Sequence, residues 1–205
     1  MMPPPRDIGL RRGFHGKIPS RGDFVSVGLK RAFTTRWDEW VADVFVQSRA
    51  TLDRDWLPAW LEAPVWRFVL AEGLCGPDAA LGLWMPSVDR VGRYYPLLLA
   101  VTCEADSDRL MGEACWLETA ERAGWSAVQE TLSPEELAER LANGQQDEAA
   151  GVGLDEVRVA TGCGVWWTAG APRVRPARYC MRGLPCAGTF ATMLVDPATP
   201  QAGLT

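Results

Sequence analysis

The sequence predicts an α/β fold built on a mixed, largely antiparallel sheet, and three observations carry that prediction. Two short apolar runs, Ala80–Met85 and Leu97–Cys103, are bounded by Pro and Gly and joined with no helix between them, as antiparallel neighbours are. Two longer stretches, 31–52 and 106–130, place apolar side chains at three- and four-residue steps, the period of a helix with one buried face. Trp166 and Trp167 are adjacent in a β-prone run, so their indoles point to opposite faces of a sheet. Helices on both faces would bury both.

The elements follow in order. A flexible Pro- and Arg-rich segment, 1–12, is expected to precede one domain over 13–195, with a flexible tail at 196–205. Gly13–Ile18 reads as a short first strand, and Pro19–Phe24 as a turn rich in residues that favour one. Over 31–52, Phe33, Trp37, Trp40, Val41, Val44, Phe45 and Ser48 form one stripe, with Asp38, Glu39, Asp43 and Arg49 mostly opposite. A short helix at Asp55–Glu62 puts Trp56 and Trp60 on one face and tolerates Pro58 in its first turn. Pro64–Ala71 reads as a strand. The strands at 80–85 and 97–103 flank the link Pro86–Pro96, which is longer than a tight hairpin needs.

A helix over 106–130 uses Leu110, Met111, Ala114, Cys115 and Leu117, with Trp125 and Val128 extending the face past Gly124. Ser133-Pro134-Glu135-Glu136 has the form of a capping box opening a helix that runs to about Ala142. Residues 145–153 read as a polar loop. Strands follow at 164–168 and 173–181, Gly183-Leu-Pro185 is a turn, and 188–195 suits either a strand or a helix.

Composition excludes several function classes. The net charge of -5 is uneven: residues 1–36 carry eight basic and two acidic side chains, and residues 104–156 carry three and fourteen. Two oppositely charged faces would steer a protein partner, although an acidic block is also what solvated helix faces look like. Neither arrangement gives the continuous basic groove that nucleic acid requires. No run of 18 apolar residues and no apolar leader is present, so a cytoplasmic protein without membrane insertion is expected. The six cysteines lack CxxC spacing and the chain has one histidine, so neither a metal site nor any other cofactor is expected. The sequence leaves the oligomeric state open.

Phosphate-cradling glycine loops and the Gly-x-Ser-x-Gly elbow are both missing. The polar residues of the link, Ser87, Asp89, Arg90 and Arg93, carry the remaining chemistry. An ionised Asp89 held by a nearby arginine would brace the loop. Alternatively, the group forms a docking hot spot, where the planar arginine fork is over-represented. Arg21 and Asp23 in the 19–23 turn are candidates for the same surface if the two turns meet at one end of the sheet. The rival is a small hydrolase or phosphate-ligand enzyme using Ser87, Asp89 and Arg93, with His15 as the base.

These residues form a pattern. Gly16-Lys-Ile-Pro-Ser-Arg-Gly-Asp-Phe-Val25 resembles the opening motif of the TagF (ImpM) family, associated with bacterial type VI secretion. Pro64-Val-Trp-Arg-Phe68 and Pro86-Ser-Val-Asp-Arg-Val-Gly-Arg-Tyr-Tyr-Pro-Leu97 resemble its second and third motifs. Trp166-Trp167 and Gly183-Leu-Pro185 resemble its C-terminal landmarks. Ile18 stands where the family has Leu, and Tyr95 where Phe is common. The resemblance implies a three-layer α/β sandwich, with helices on both faces of the sheet. It also implies a non-enzymatic, post-translational repressor of type VI secretion that binds the forkhead-associated (FHA) scaffold protein of the system. Arg21, Asp23, Ser87, Asp89, Arg90 and Arg93 are then the candidate partner-binding residues.

Overall fold

The runs Ala79–Met85 (β4) and Leu97–Cys103 (β5) are buried at every position in the computed structural model. A strand without alternation must be covered on both faces, and the rest of the chain supplies the covers. The structure describes residues 9–104, 110, 112–143 and 159–197. With β1 (Arg11–Gly16), β2 (Val25–Val27), β3 (Trp66–Leu70), β6 (Cys163–Thr168) and β7 (Ala177–Arg182), the two central strands form a seven-stranded sheet of order β2-β1-β5-β4-β3-β6-β7. Each of its six ladders is antiparallel.

One face packs against α1 (Arg31–Leu52), α2 (Trp56–Leu61) and α5 (Ala187–Leu194). The other packs against α3 (Trp116–Gln129) and α4 (Pro134–Asn143). The α1 stripe read from the sequence is buried at all seven positions. Trp166 is fully buried on the α1 side, with its ring 5.6 Å from that of Trp40, while Trp167 is half-buried on the α3 side. Neighbouring indoles therefore do serve two layers. Two buried indole N–H groups also tie the C-terminal region to the core: Trp40 donates to Pro185 O at 2.7 Å and Trp66 to Met193 O at 3.0 Å.

Several expectations need revision. Of the two options open for 188–195, the structure takes the helix, α5, which ends at Leu194. Pro176 lacks a backbone donor, and the strand expected at 173–181 runs instead over Ala177–Arg182, after a small Ala171/Val174 turn. The helix expected from 106 is α3, starting at Trp116; residues 105–109 and 111 lie outside the described residues, as does the loop expected at 145–153. β1 begins at Arg11, inside the stretch expected to be loose. The charge asymmetry is partly consumed internally, since Arg12 pairs with Glu113 at 2.6 Å and Lys30 with Glu104. No helix among the described residues is long and apolar enough to cross a membrane.

The capping box is present in both directions. Ser133 N–H donates to Glu136 Oε2 at 2.7 Å, and Glu136 N–H donates to Ser133 Oγ at 3.2 Å. Ser133→Ala is expected to cost about 1 kcal/mol, read as a drop of roughly 2–4 °C in melting temperature. An unchanged melting curve would show that α4 is held by packing alone.

Candidate functional site

The link between β4 and β5 is a continuation of their hairpin. The ladder reaches Met85 and Leu97, and the bridge Val88↔Tyr94 lies in the same register. That register sets Pro86 opposite Pro96, and two residues without N–H donors cannot bond each other across the ladder. Pairing resumes beyond them: Tyr95 N–H donates to Ser87 O at 3.1 Å, and Asp89 N–H to Arg93 O at 3.1 Å. Gly92 N–H then donates to Asp89 O at 3.0 Å, with Gly92 at φ +85°. This is the three-residue hairpin turn with a left-handed glycine. The link is thus a tight hairpin extension rather than a long loop, and Asp-Arg-Val-Gly was its legible sequence signal.

Asp89 is the organising side chain. Its Oδ1 accepts from Val91 N–H at 3.0 Å and Arg93 N–H at 2.9 Å. Its Oδ2 accepts from Lys17 Nζ at 2.9 Å and Arg93 Nε at 2.7 Å. Burial would push the carboxyl pKa up, but the Lys17 ammonium and the Arg93 and Val91 donors outweigh it and hold it well below the usual carboxylate range. Ser87 Oγ donates to Lys17 O at 2.7 Å, which joins the hairpin to the segment leaving β1.

The two predicted turns meet. Arg90 N–H donates to Arg21 O at 2.9 Å, and the Arg93 guanidinium donates to Gly22 O. Of the six candidate residues, Arg21, Asp23, Arg90 and Arg93 are exposed. Ser87 and Asp89 are 4% and 3% exposed. Those two lie beneath the surface and hold it in shape, so they are not contact residues themselves. The Ser87–His15 arrangement required by the hydrolase alternative is not assembled: Ser87 Oγ is committed to Lys17 O, and His15 Nε2 donates to Asp38 Oδ1 at 2.7 Å.

This end of the sheet also has an apolar part, which no polar motif in the sequence marks. Phe24 is 46% exposed and Val91 64%. Phe24 is fixed on three sides. Its ring stacks on His15 at 5.8 Å, meets Tyr95 edge-on at 4.7 Å, and has Lys17 Nζ 5.1 Å from its centroid. Tyr95 donates to Asp38 on α1, and burial followed by this bond raises its phenol pKa, so it remains a donor. The result is a braced rim: two apolar side chains among three exposed arginines. A separate cleft of about 300 Å³, lined by Leu61, Arg67, Glu121 and Trp125 among others, contains none of the six candidates. Among the described residues, no group of three or more His, Cys, Asp or Glu side chains could hold a metal ion.

Comparison with known proteins bears on the whole chain. The family model of the TagF N-terminal domain, type VI secretion system-associated, matches residues 13–143. The crystal structure of PA0076 from Pseudomonas aeruginosa PAO1 superposes with a TM-score of 0.77 at 31% identity, covering 95% of this chain and 98% of that one. A search of curated proteins gave no match.

Proposed function

The chain belongs to the family of TagF N-terminal domains, associated with type VI secretion, and on that premise we propose that it represses the system after translation by docking on its FHA-domain scaffold protein. In this reading it is a cytoplasmic binding protein rather than an enzyme. The observation that carries it is the pre-organised rim. Phe24 and Val91 are exposed without being loose, because the turns that bear them are bonded to each other and to the buried Asp89. A rigid aromatic anchor loses little conformational entropy on binding, and arginine and aromatic side chains dominate interface hot spots. Supporting it further, the Ser87–His15 bond that a hydrolase would need is not made: Ser87 Oγ donates to Lys17 O, and the His15 nitrogen not bonded to Asp38 has no partner among the described residues.

The test is calorimetric titration of the purified chain with the FHA scaffold protein from the same genome. Arg90→Glu replaces an exposed rim side chain and is expected to lower affinity about tenfold or more with the melting temperature unchanged. Phe24→Ala removes the exposed aromatic together with its ring contacts to the buried His15 and Tyr95, so a similar loss of affinity is expected with a small drop in melting temperature. In cells, deletion of the gene should raise secretion, and the wild-type gene should restore repression while the variants fail to. A wild-type chain that does not bind the scaffold sinks the mechanism. Variants that bind as the wild type does move the contact surface elsewhere.

A further inference from the structure

The sheet has an open edge far from the rim. β7 pairs only with β6, and no strand among the described residues lies on its outer side. Its six residues alternate between half-buried and exposed. Ala177, Tyr179 and Met181 lean toward the α1/α5 layer, where Tyr179 stacks on Trp66 at 5.4 Å. Arg178, Cys180 and Arg182 stand on the other face, opposite Trp167, Val165 and Cys163, and all three are exposed. Neither Arg178 nor Arg182 makes an ion pair among the described residues, whereas Arg173 and Arg175 just before the strand pair with Glu62 and Asp196.

We propose that β7 is a second docking site, which takes an extended acidic strand of a partner protein into the sheet. Main-chain hydrogen bonds along a free edge supply affinity, and alternate side chains supply selectivity. The register dictates the partner's chemistry. Arg178 and Arg182 lie four residues apart on one face, so the added strand carries Asp or Glu at its first and fifth positions. Tyr179 and Met181 on the other face call for apolar residues at the second and fourth. A second copy of this chain is disfavoured in the fully overlapping pairing, because Arg178 would then face Arg182 of the copy twice, and like charges directly opposite are destabilising. The rim near β5 is four strand spacings away, about 19 Å. The two surfaces are therefore separable by mutation, and this site does not depend on the rim's role.

Edge arginines can also act as mere guards against aggregation, and the experiment separates the two roles. The peptide Glu-Val-Thr-Val-Glu is fused to the C terminus of the full chain on a Gly/Ser linker of about 15 residues, which reaches about 20 Å and gives a millimolar-range effective concentration. Asp196, near that terminus, already pairs with Arg175 beside the start of β7. Hydrogen–deuterium exchange is then followed over residues 177–182. The acidic tether is expected to slow exchange there several-fold relative to the untethered chain, while a Lys-Val-Thr-Val-Lys tether does not. In Arg178→Glu/Arg182→Glu the preference should reverse, a gain that a merely unfolded variant cannot produce. Four results would overturn the proposal: no slowing by either tether, equal slowing by both, exchange already slow in the untethered chain, or protection that grows with the concentration of the untethered chain.

Discussion

Asp89→Asn is expected to lose binding at the rim and a large share of the protein's acid-sensitive stability together. The carboxylate accepts four hydrogen bonds, two of them from the turn it closes and two from cations. Asparagine has nearly the same shape but carries no charge and presents an NH2 where an acceptor is needed. The Lys17 ammonium, 5% exposed, is left without a counter-charge, and removing one member of a buried pair is far more costly than never having had it. The turn that carries Arg90, Val91 and Arg93 then loses its brace. Scaffold affinity should fall more than about tenfold, and the melting temperature should drop, unlike in Arg90→Glu. Lys17→Met/Asp89→Asn is expected to be less destabilised than the two single changes combined, because the pair is coupled. Additive losses would refute the coupling.

The pH dependence has a definite sign. The folded Asp89 carboxyl titrates below its ordinary value, so its contribution to stability is fully present above about pH 4, where an unfolded aspartate is ionised. As pH falls below that, the unfolded state takes up the proton first, and stability declines until the folded carboxylate is also protonated. Denaturant titrations at neutral pH and below about pH 4 should show a smaller acid-induced loss in Asp89→Asn than in the wild type. Equal losses would mean that Asp89 is not the group responsible.

What could be read from the sequence depended on how far apart the cooperating residues lie. α1 was legible because its stripe repeats over its whole length, and β4 and β5 because apolar runs of that length abutting Pro86 and Pro96 suit a strand covered on both faces. α5 stayed ambiguous because eight largely apolar residues satisfy both periods. β2 went unread: three residues, Val-Ser-Val, give too little alternation to register. At the candidate site, the local partners of Asp89 were visible as Arg90 and Arg93, and the structure chose Arg93. Lys17, 72 positions away, had no local signal. Phe24, a lone aromatic beside Asp23 in a polar turn, carries no periodic signal of its own. It becomes a candidate only when His15, Tyr95 and Lys17 are seen to pin it at the surface.

Gly16→Ala should be the most damaging single change in the opening motif. Gly16 sits at φ +134°, a conformation that L side chains rarely adopt. A Cβ placed there would also overlap the carbonyl oxygen of Pro96, at the start of the strand that β1 pairs with. Relief requires the end of β1 to move away from β5, and that end carries Lys17 toward Asp89 and Ser87. The cost is expected to exceed about 4 kcal/mol, the range of substitutions with backbone collision and strain combined. Gly92→Ala isolates the second factor. It too has positive φ, +85°, but nothing lies within 4 Å of its added Cβ, so only the left-handed strain of about 1–2 kcal/mol applies. Denaturant unfolding of the two variants should therefore differ by several-fold in lost stability, with Gly92→Ala still folded and bearing the rim. If the two losses are equal, the close approach of β1 to Pro96 is not what requires glycine at position 16.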